Sequence, residues 1–203
     1  MAQFTSKELY MMNGGNTLYI YKDGFGDIYK ATPAEEGAWS QEVVARALDR
    51  IDTETNVTNL RFAIDDLLFH RYGNVEQLLL EKIQNTSPVR TIAFATMLWK
   101  MNEYEKSFGI IHQLFLHHRD ECLNEVFYAL IDFKNNTAAR QFLLECLKGD
   151  DAELYAKAHT TLGMWAYMGM PELRAAGLLD GLKNKNTPFF ETGMQQLRKL
   201  LFL

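Results

Sequence analysis

From Ser40 almost to the C-terminus, apolar side chains recur every third or fourth position, the spacing that gathers them on one face of a helix. Ser40 is read as the cap of QEVVARALDRI, and further helices fall near residues 57–71, 74–84, 88–101, 103–118, 121–134, 136–148, 151–168, 171–183 and 188–202. Breaks come at Gly73-Asn74, Ser87-Pro88, Asn135-Asn136, Gly149-Asp150, Gly169 to Pro171 and Thr187-Pro188. Pro88, Pro171 and Pro188 each stand where a helix begins, a place where the missing N–H costs nothing. The connections are short, so neighbouring helices are expected to pair as antiparallel hairpins.

Residues 1–39 interrupt this period and are expected to form a separate N-terminal arm ahead of a helical domain spanning 40–203. Glycines stand at 14, 15, 24, 26 and 37, and TLYIYKDGFGDIYKAT places β-rich residues on both sides of DGFG. That pattern predicts a β-hairpin or an irregular extended arm. A lone hairpin is marginal, so the arm is expected to lie against the helices. Asp23 and Asp27 lack the later glutamate and regular oxygen spacing of a calcium loop, and the segment reads as a plain turn.

A shift of 34 residues superposes the helical pattern on itself. Phe94, Tyr128 and Leu162 align, as do Ala95, Ala129 and Gly163, then Met97, Ile131 and Trp165, then Trp99, Phe133 and Tyr167. On the following helix of each unit, Lys106, Arg140 and Arg174 align, as do Ile110, Leu144 and Leu178. Each hairpin in such an array leaves a face bare until its neighbour covers it.

With AKAHTTLGMWAYMGMPELRAAGLL the chain resembles the tetratricopeptide family, whose helix pairs share this period. Leu162-Gly163, Ala175 and Leu179 occupy that motif's Leu-Gly, small and large apolar positions. Phe94-Ala95, Tyr104, Ser107 and Ile111 match it in the first unit, whereas Asp132, Gln141 and Glu145 depart from it in the middle one. SPVRTIAFATML and DDAELYAKAHTTL also resemble the start of HEAT-like repeats, so both families stay open over roughly residues 88–187. Either resemblance implies an all-α fold, a right-handed α-α superhelix of antiparallel hairpins with a concave binding face.

Composition narrows the function. Of 203 residues, 47% are hydrophobic and 23% charged, which suits a folded domain rather than a disordered chain. Net charge is -5, distributed as -2 over 1–40, -3 over 41–86, -1 over 87–150 and +1 over 151–203. No region supplies the basic field that phosphate neutralisation requires, which argues against nucleic acid as the partner. Cys122 and Cys146 lie in helical patterns without metal spacing and read as buried thiols of a reducing compartment. The N-terminus shows no long apolar run, and no stretch approaches the ~20 apolar residues of a membrane span, so a cytoplasmic protein is expected.

The candidate chemistry is sparse. His112, His117 and His118 are spaced five and six apart, which fans them around a helix instead of converging them on a metal. His117-His118 is placed at a helix C-terminus, where the macrodipole favours a cation, and His159 stands in for a large packing residue. Asp150-Asp151 reads as an N-cap, and Asp65-Asp66 as solvated side chains pointing to different sides of a helix. Motifs for nucleophiles, phosphate loops and dinucleotides are absent, so neither cofactor nor metal is expected and the chain is read as non-catalytic.

Two columns are candidates for binding. Lys106, Arg140 and Arg174 form either a stripe for an acidic partner or ordinary solvated cations paired with Glu103, Glu105 and Glu172. Trp99, Phe133 and Tyr167 form either aromatic anchors along the concave face or packing between hairpins. The expected function is a protein-interaction module, an adaptor, regulator or immunity-type protein binding a protein or peptide. The alternatives are a HEAT-like nucleic-acid-acting enzyme of the DNA glycosylase type and a self-associating structural module.

Overall fold

A computed structural model describes residues 4–102 and 105–202, apart from the side chains of Asn102, Ala175 and Ala176. The fold is all-α: eleven α-helices and two 3-10 segments, with no strand among the described residues. The chain divides into two compact units, 1–86 and 87–203.

The first unit holds α1 (Ser6–Met12), α2 (Thr17–Lys22), α3 (Pro33–Thr53), α4 (Val57–Phe69) and α5 (Val75–Ile83). Its N-terminal part is a correction to the sequence reading: segment 17–32, expected as a β-hairpin or an irregular extended arm, holds no strand and instead forms α2 followed by turns through 23–32. Asn16 caps α2 by accepting from the Leu18 N–H, and Ile20 is driven wholly inside against Leu9, Tyr10, Tyr29 and Val43. Burying that one side chain, worth about 1.5–3 kcal/mol, outweighs the β preference of the tyrosines around it.

Helix α3 likewise begins earlier than Ser40. Thr32 and Glu35 form a capping box, with Pro33 in the first turn, and the boundary expected at 39/40 falls inside this one continuous helix. Val43, Ala47 and Ile51 of α3 are buried, as are Leu60, Ala63, Ile64 and Leu67 of α4, which packs against it.

The second unit holds α6 (Pro88–Asn102), α7 (Lys106–Leu130), a 3-10 turn at Ile131–Phe133, α8 (Thr137–Lys148), α9 (Ala152–Tyr167), a 3-10 segment Pro171–Gly177, α10 (Leu178–Gly181) and α11 (Phe189–Leu200). The two helices expected over 103–118 and 121–134 are joined end to end, with a kink at His118 (φ -135, ψ 31). The His117-His118 pair therefore sits at a bend and not at a helix end. The helix expected over 171–183 is also corrected: Gly177 takes a left-handed conformation (φ 75) and divides a 3-10 segment from a single α turn. Of the family-motif positions, Tyr104 lies outside the described residues.

One contiguous core runs through this unit, from Ile92 and Ala95 through Phe133 and Leu143 to Leu162, Trp165 and Leu197. Several interactions that hold it join residues 32 to 35 apart. The Trp99 indole N–H donates to the Asp132 carbonyl at 3.0 Å, and that of Trp165 to the Leu130 carbonyl at 2.9 Å. Arg119 meets Asp151 at 2.6 Å, Lys157 meets Asn124 at 2.5 Å, and Lys134 donates to the Met168 carbonyl at 2.5 Å.

Candidate functional site

The aromatic column does not stay together. Trp99 and Phe133 stack with ring centroids 5.0 Å apart and rings only 17° from parallel, and both are buried. Phe108 and Phe142 extend the cluster, with centroids 6.2 Å and 6.1 Å away along the chain of rings. These two residues of the column belong to the core. Tyr167, at the last turn of α9, is 77% exposed and carries the Arg174 guanidinium over its ring at 5.3 Å.

The basic column separates in the same way. Lys106 and Arg174 are exposed. Arg140 is half-buried and anchors main chain, its Nε donating to the Lys134 carbonyl at 2.6 Å and its Nη1 to the Leu201 carbonyl at 3.1 Å. Its guanidinium thus satisfies carbonyls left over near helix ends. Glu103, named as a partner for these cations, lies outside the described residues.

An apolar groove opens between α7 and α9. It encloses about 320 Å³ and is lined by Phe127, Tyr128 and Ile131 on one side and by Ala156, Thr160 and Met164 among others on the other. The helical spacing accounts for it: Lys157, Thr160 and Met164 follow one face of α9, which Tyr167 and Met168 continue. Thr160 and Thr161 donate their hydroxyls to the Ala156 and Lys157 carbonyls at 2.9 and 3.0 Å, so neither hydroxyl proton is offered to a ligand. Tyr128 and Met164 are large apolar side chains left in solvent at its rim.

Tyr128 and Met164 escaped the sequence reading. Tyr128 shares its 34-residue column with Phe94 and Leu162, which are both fully buried, so the pattern gives no sign that this one position faces out. The groove forms where the second half of α7, beyond the bend at His118, packs beside α9, a pairing that no local period specifies.

The remaining polar groups have structural occupations. Asp151 caps α9 as expected, accepting from the Glu153 and Leu154 N–H groups at 2.9 and 3.0 Å. Those N–H groups, Leu154 first, together with Arg119 hold its carboxyl below the usual range. His112 lies flat on Phe108, His118 contacts Glu121 at 3.1 Å, and His159 Nε2 donates to the Leu179 carbonyl at 2.8 Å. Among the described residues no three His, Cys, Asp or Glu side chains gather as a metal site. Cys122 and Cys146 are buried free thiols, which burial pushes up to about 11 and about 12.

In the first unit, Ser40 Oγ lies 2.7 Å from His70 Nδ1, and His70 Nε2 lies 2.8 Å from the Gly14 carbonyl. A carbonyl only accepts, so Nε2 carries a proton and the serine hydroxyl is free to donate to Nδ1. A serine–histidine pair can serve nucleophilic catalysis. Here the ring's second nitrogen is bound to main chain, and the histidine fastens the 13–16 loop to α3 and α4. No helix among the described residues is long and apolar enough to cross a membrane. No family model, no curated protein and no solved structure matches this chain.

Proposed function

We propose that this chain is a non-catalytic protein-interaction module whose second unit grips an apolar segment of another protein in the groove between α7 and α9. The observation that carries the reading is the exposure of Tyr128 and Met164 on a groove lined mainly by apolar side chains, with Tyr167 exposed one turn of α9 beyond it and the Thr160 and Thr161 hydroxyls donating within α9. Large aromatic and methionine side chains are the types that supply binding energy when a partner desolvates them. Lys157 in the groove wall, and Arg174 over the Tyr167 ring one turn of α9 beyond it, supply cations suited to an acidic flank on the partner.

The repeat architecture is part of the same proposal: antiparallel hairpins stacked as a right-handed superhelix, of the tetratricopeptide or HEAT kind. The contacts between residues 32 to 35 apart support it, because equivalent positions of successive units touch in such stacks. The engagement of His70, His112, His118 and His159 in packing and hydrogen bonds supports a non-catalytic role. The buried free thiols support a cytoplasmic setting.

A photo-crosslinking residue placed at Tyr128 or Tyr167 of the full chain, in native lysate, tests the groove. The expected result is one discrete crosslinked protein from each position and none from a control at exposed Lys148. Crosslinks only to a second copy of the chain would convert the reading to self-association, and equal labelling from Lys148 would remove it.

A further inference from the structure

Helix α4 has an outer face unlike that of an ordinary surface helix. Leu60, Ala63, Ile64 and Leu67 fill the core, and the solvent side reads Phe62, Asp65, Asp66, Phe69. Spacings of three, four and seven put these four on one stripe, with two carboxylates between two phenylalanines about 10 Å apart along the axis. The stripe forms one wall of a cleft of about 550 Å³. Met12 and Tyr19 face it from the other side, and all four apolar side chains are more than half exposed.

The cleft is held by tight local geometry. Gly14, in a left-handed conformation (φ 57), lies so close that a Cβ on it would overlap the Asp66 carboxylate. The adjoining Gly15 is pressed equally against the His70 ring. The loop therefore cannot drift away from α4 without breaking the His70 tether. Arg50 also lines the cleft, its Nη2 donating to the Asn59 carbonyl at 2.9 Å and its charge acting on Asp66. Residues 1–86 carry eight basic and thirteen acidic side chains, a net charge of -5 that equals that of the whole chain.

We propose that this cleft is a second docking surface, which takes a protein segment presenting a lysine or arginine between apolar side chains. The apolar rim supplies the desolvated contact, and Asp65 with Asp66 supplies a counter-charge in the middle of it. The acidic surroundings favour a basic segment and repel both acidic peptides and phosphate-bearing polymers.

The probe is a short fluorescein-labelled peptide alternating arginine with leucine, titrated against the full chain by anisotropy. Two controls replace its arginines by glutamate or its leucines by serine. Saturable binding is expected for the first peptide alone, weakening with added salt. The double variants D65N/D66N and F62S/F69S should each weaken it about tenfold or more. Both alter only the outer stripe of α4, and circular dichroism confirms their folding. Variants Y128A and M164A belong to the other unit and should leave this titration unchanged, so the two binding readings fail separately. Lack of saturable binding, equal binding of the glutamate peptide, or indifference to D65N/D66N overturns the proposal. So does a dimer in light scattering that F62S/F69S disperses, which would make the occupant a second copy of this chain.

Discussion

The two units are both built from helices alone among the described residues but distribute charge and core differently. Residues 87–203 carry thirteen basic and thirteen acidic side chains and surround one contiguous core. Residues 1–86 carry the entire net charge of -5, and their N-terminal helices gather around a small cluster centred on Leu9, Tyr10 and Ile20. The neutral unit leaves Tyr128 and Met164 out along a groove whose one charged lining residue is Lys157. The acidic unit leaves Met12, Tyr19, Phe62 and Phe69 out around a pair of carboxylates. Exposed aromatic residues therefore have different chemical surroundings in the two halves, and the partners they suit differ accordingly.

The largest effect that can break this comparison lies within the second unit. Trp99→Ala should cost about 3–5 kcal/mol in denaturant unfolding, since it opens a cavity beside Phe133 and removes the indole N–H bond to the Asp132 carbonyl. Tyr167→Ala, its partner in the 34-residue column, should stay within about 0.5 kcal/mol. Equal costs would show that the two positions share one environment after all.

Gly15→Ala should come next, at about 1–3 kcal/mol, because it forces a non-glycine residue to φ 81 and drives a methyl into the His70 ring. Amide hydrogen exchange should place the loss in residues 1–86 and spare 87–203. Loss of protection spread evenly over both units would mean that they unfold as one.

A smaller effect distinguishes the two units by pH. Burial raises the Asp66 carboxyl above its ordinary value of 3.8, against the opposing pull of Arg50, His70 and Arg46 and with Asp65 adding to the rise. A raised acid holds its proton longer when folded. Stability from this group thus falls as pH climbs from the ordinary aspartate value through the raised folded one. Asp66→Asn should stabilise the first unit at neutral pH and flatten that slope. Asp151 has the opposite sign: its lowered value adds stability above the ordinary range, lost as pH falls through the folded value. Asp151→Asn should therefore destabilise the second unit at neutral pH, and thermal melts across pH 3–8 of both variants check the pair.

The smallest effect is on reactivity. Cys122 donates its thiol to the His118 carbonyl at 3.1 Å, and both cysteines are buried with their thiols pushed to about 11 and about 12. Neither should react with a thiol reagent at neutral pH until the second unit is unfolded. Rapid labelling of the folded protein would show that this core opens locally.

Much of the helix plan can be read without coordinates. The chain from Val57 to Leu200 follows the three- and four-residue apolar period closely, and Asn56, Asn74, Asn136 and Asp151 cap helices where the sequence changes character. The N-terminal helices carry equally plain signals, since Thr5 with Glu8 and Thr32 with Glu35 are both capping boxes. Glycine and β-rich tyrosines around them pull a local reading toward a hairpin, and six residues of α2 are too few to show a helical period.

The sequence by itself determined that this protein is helical and where most of its helices start. Those properties follow from capping chemistry and side-chain spacing, which act within a turn or two of the chain. Tertiary structure alone decided that Trp99 and Phe133 stack inside while Tyr167 stays in solvent, and that Arg140 is tied to main chain. It also decided that Asp65 and Asp66, adjacent on one helix, both border a single cleft. Which member of an aligned column is covered depends on the element packed over it. That element lies tens of residues away, beyond the reach of any local period.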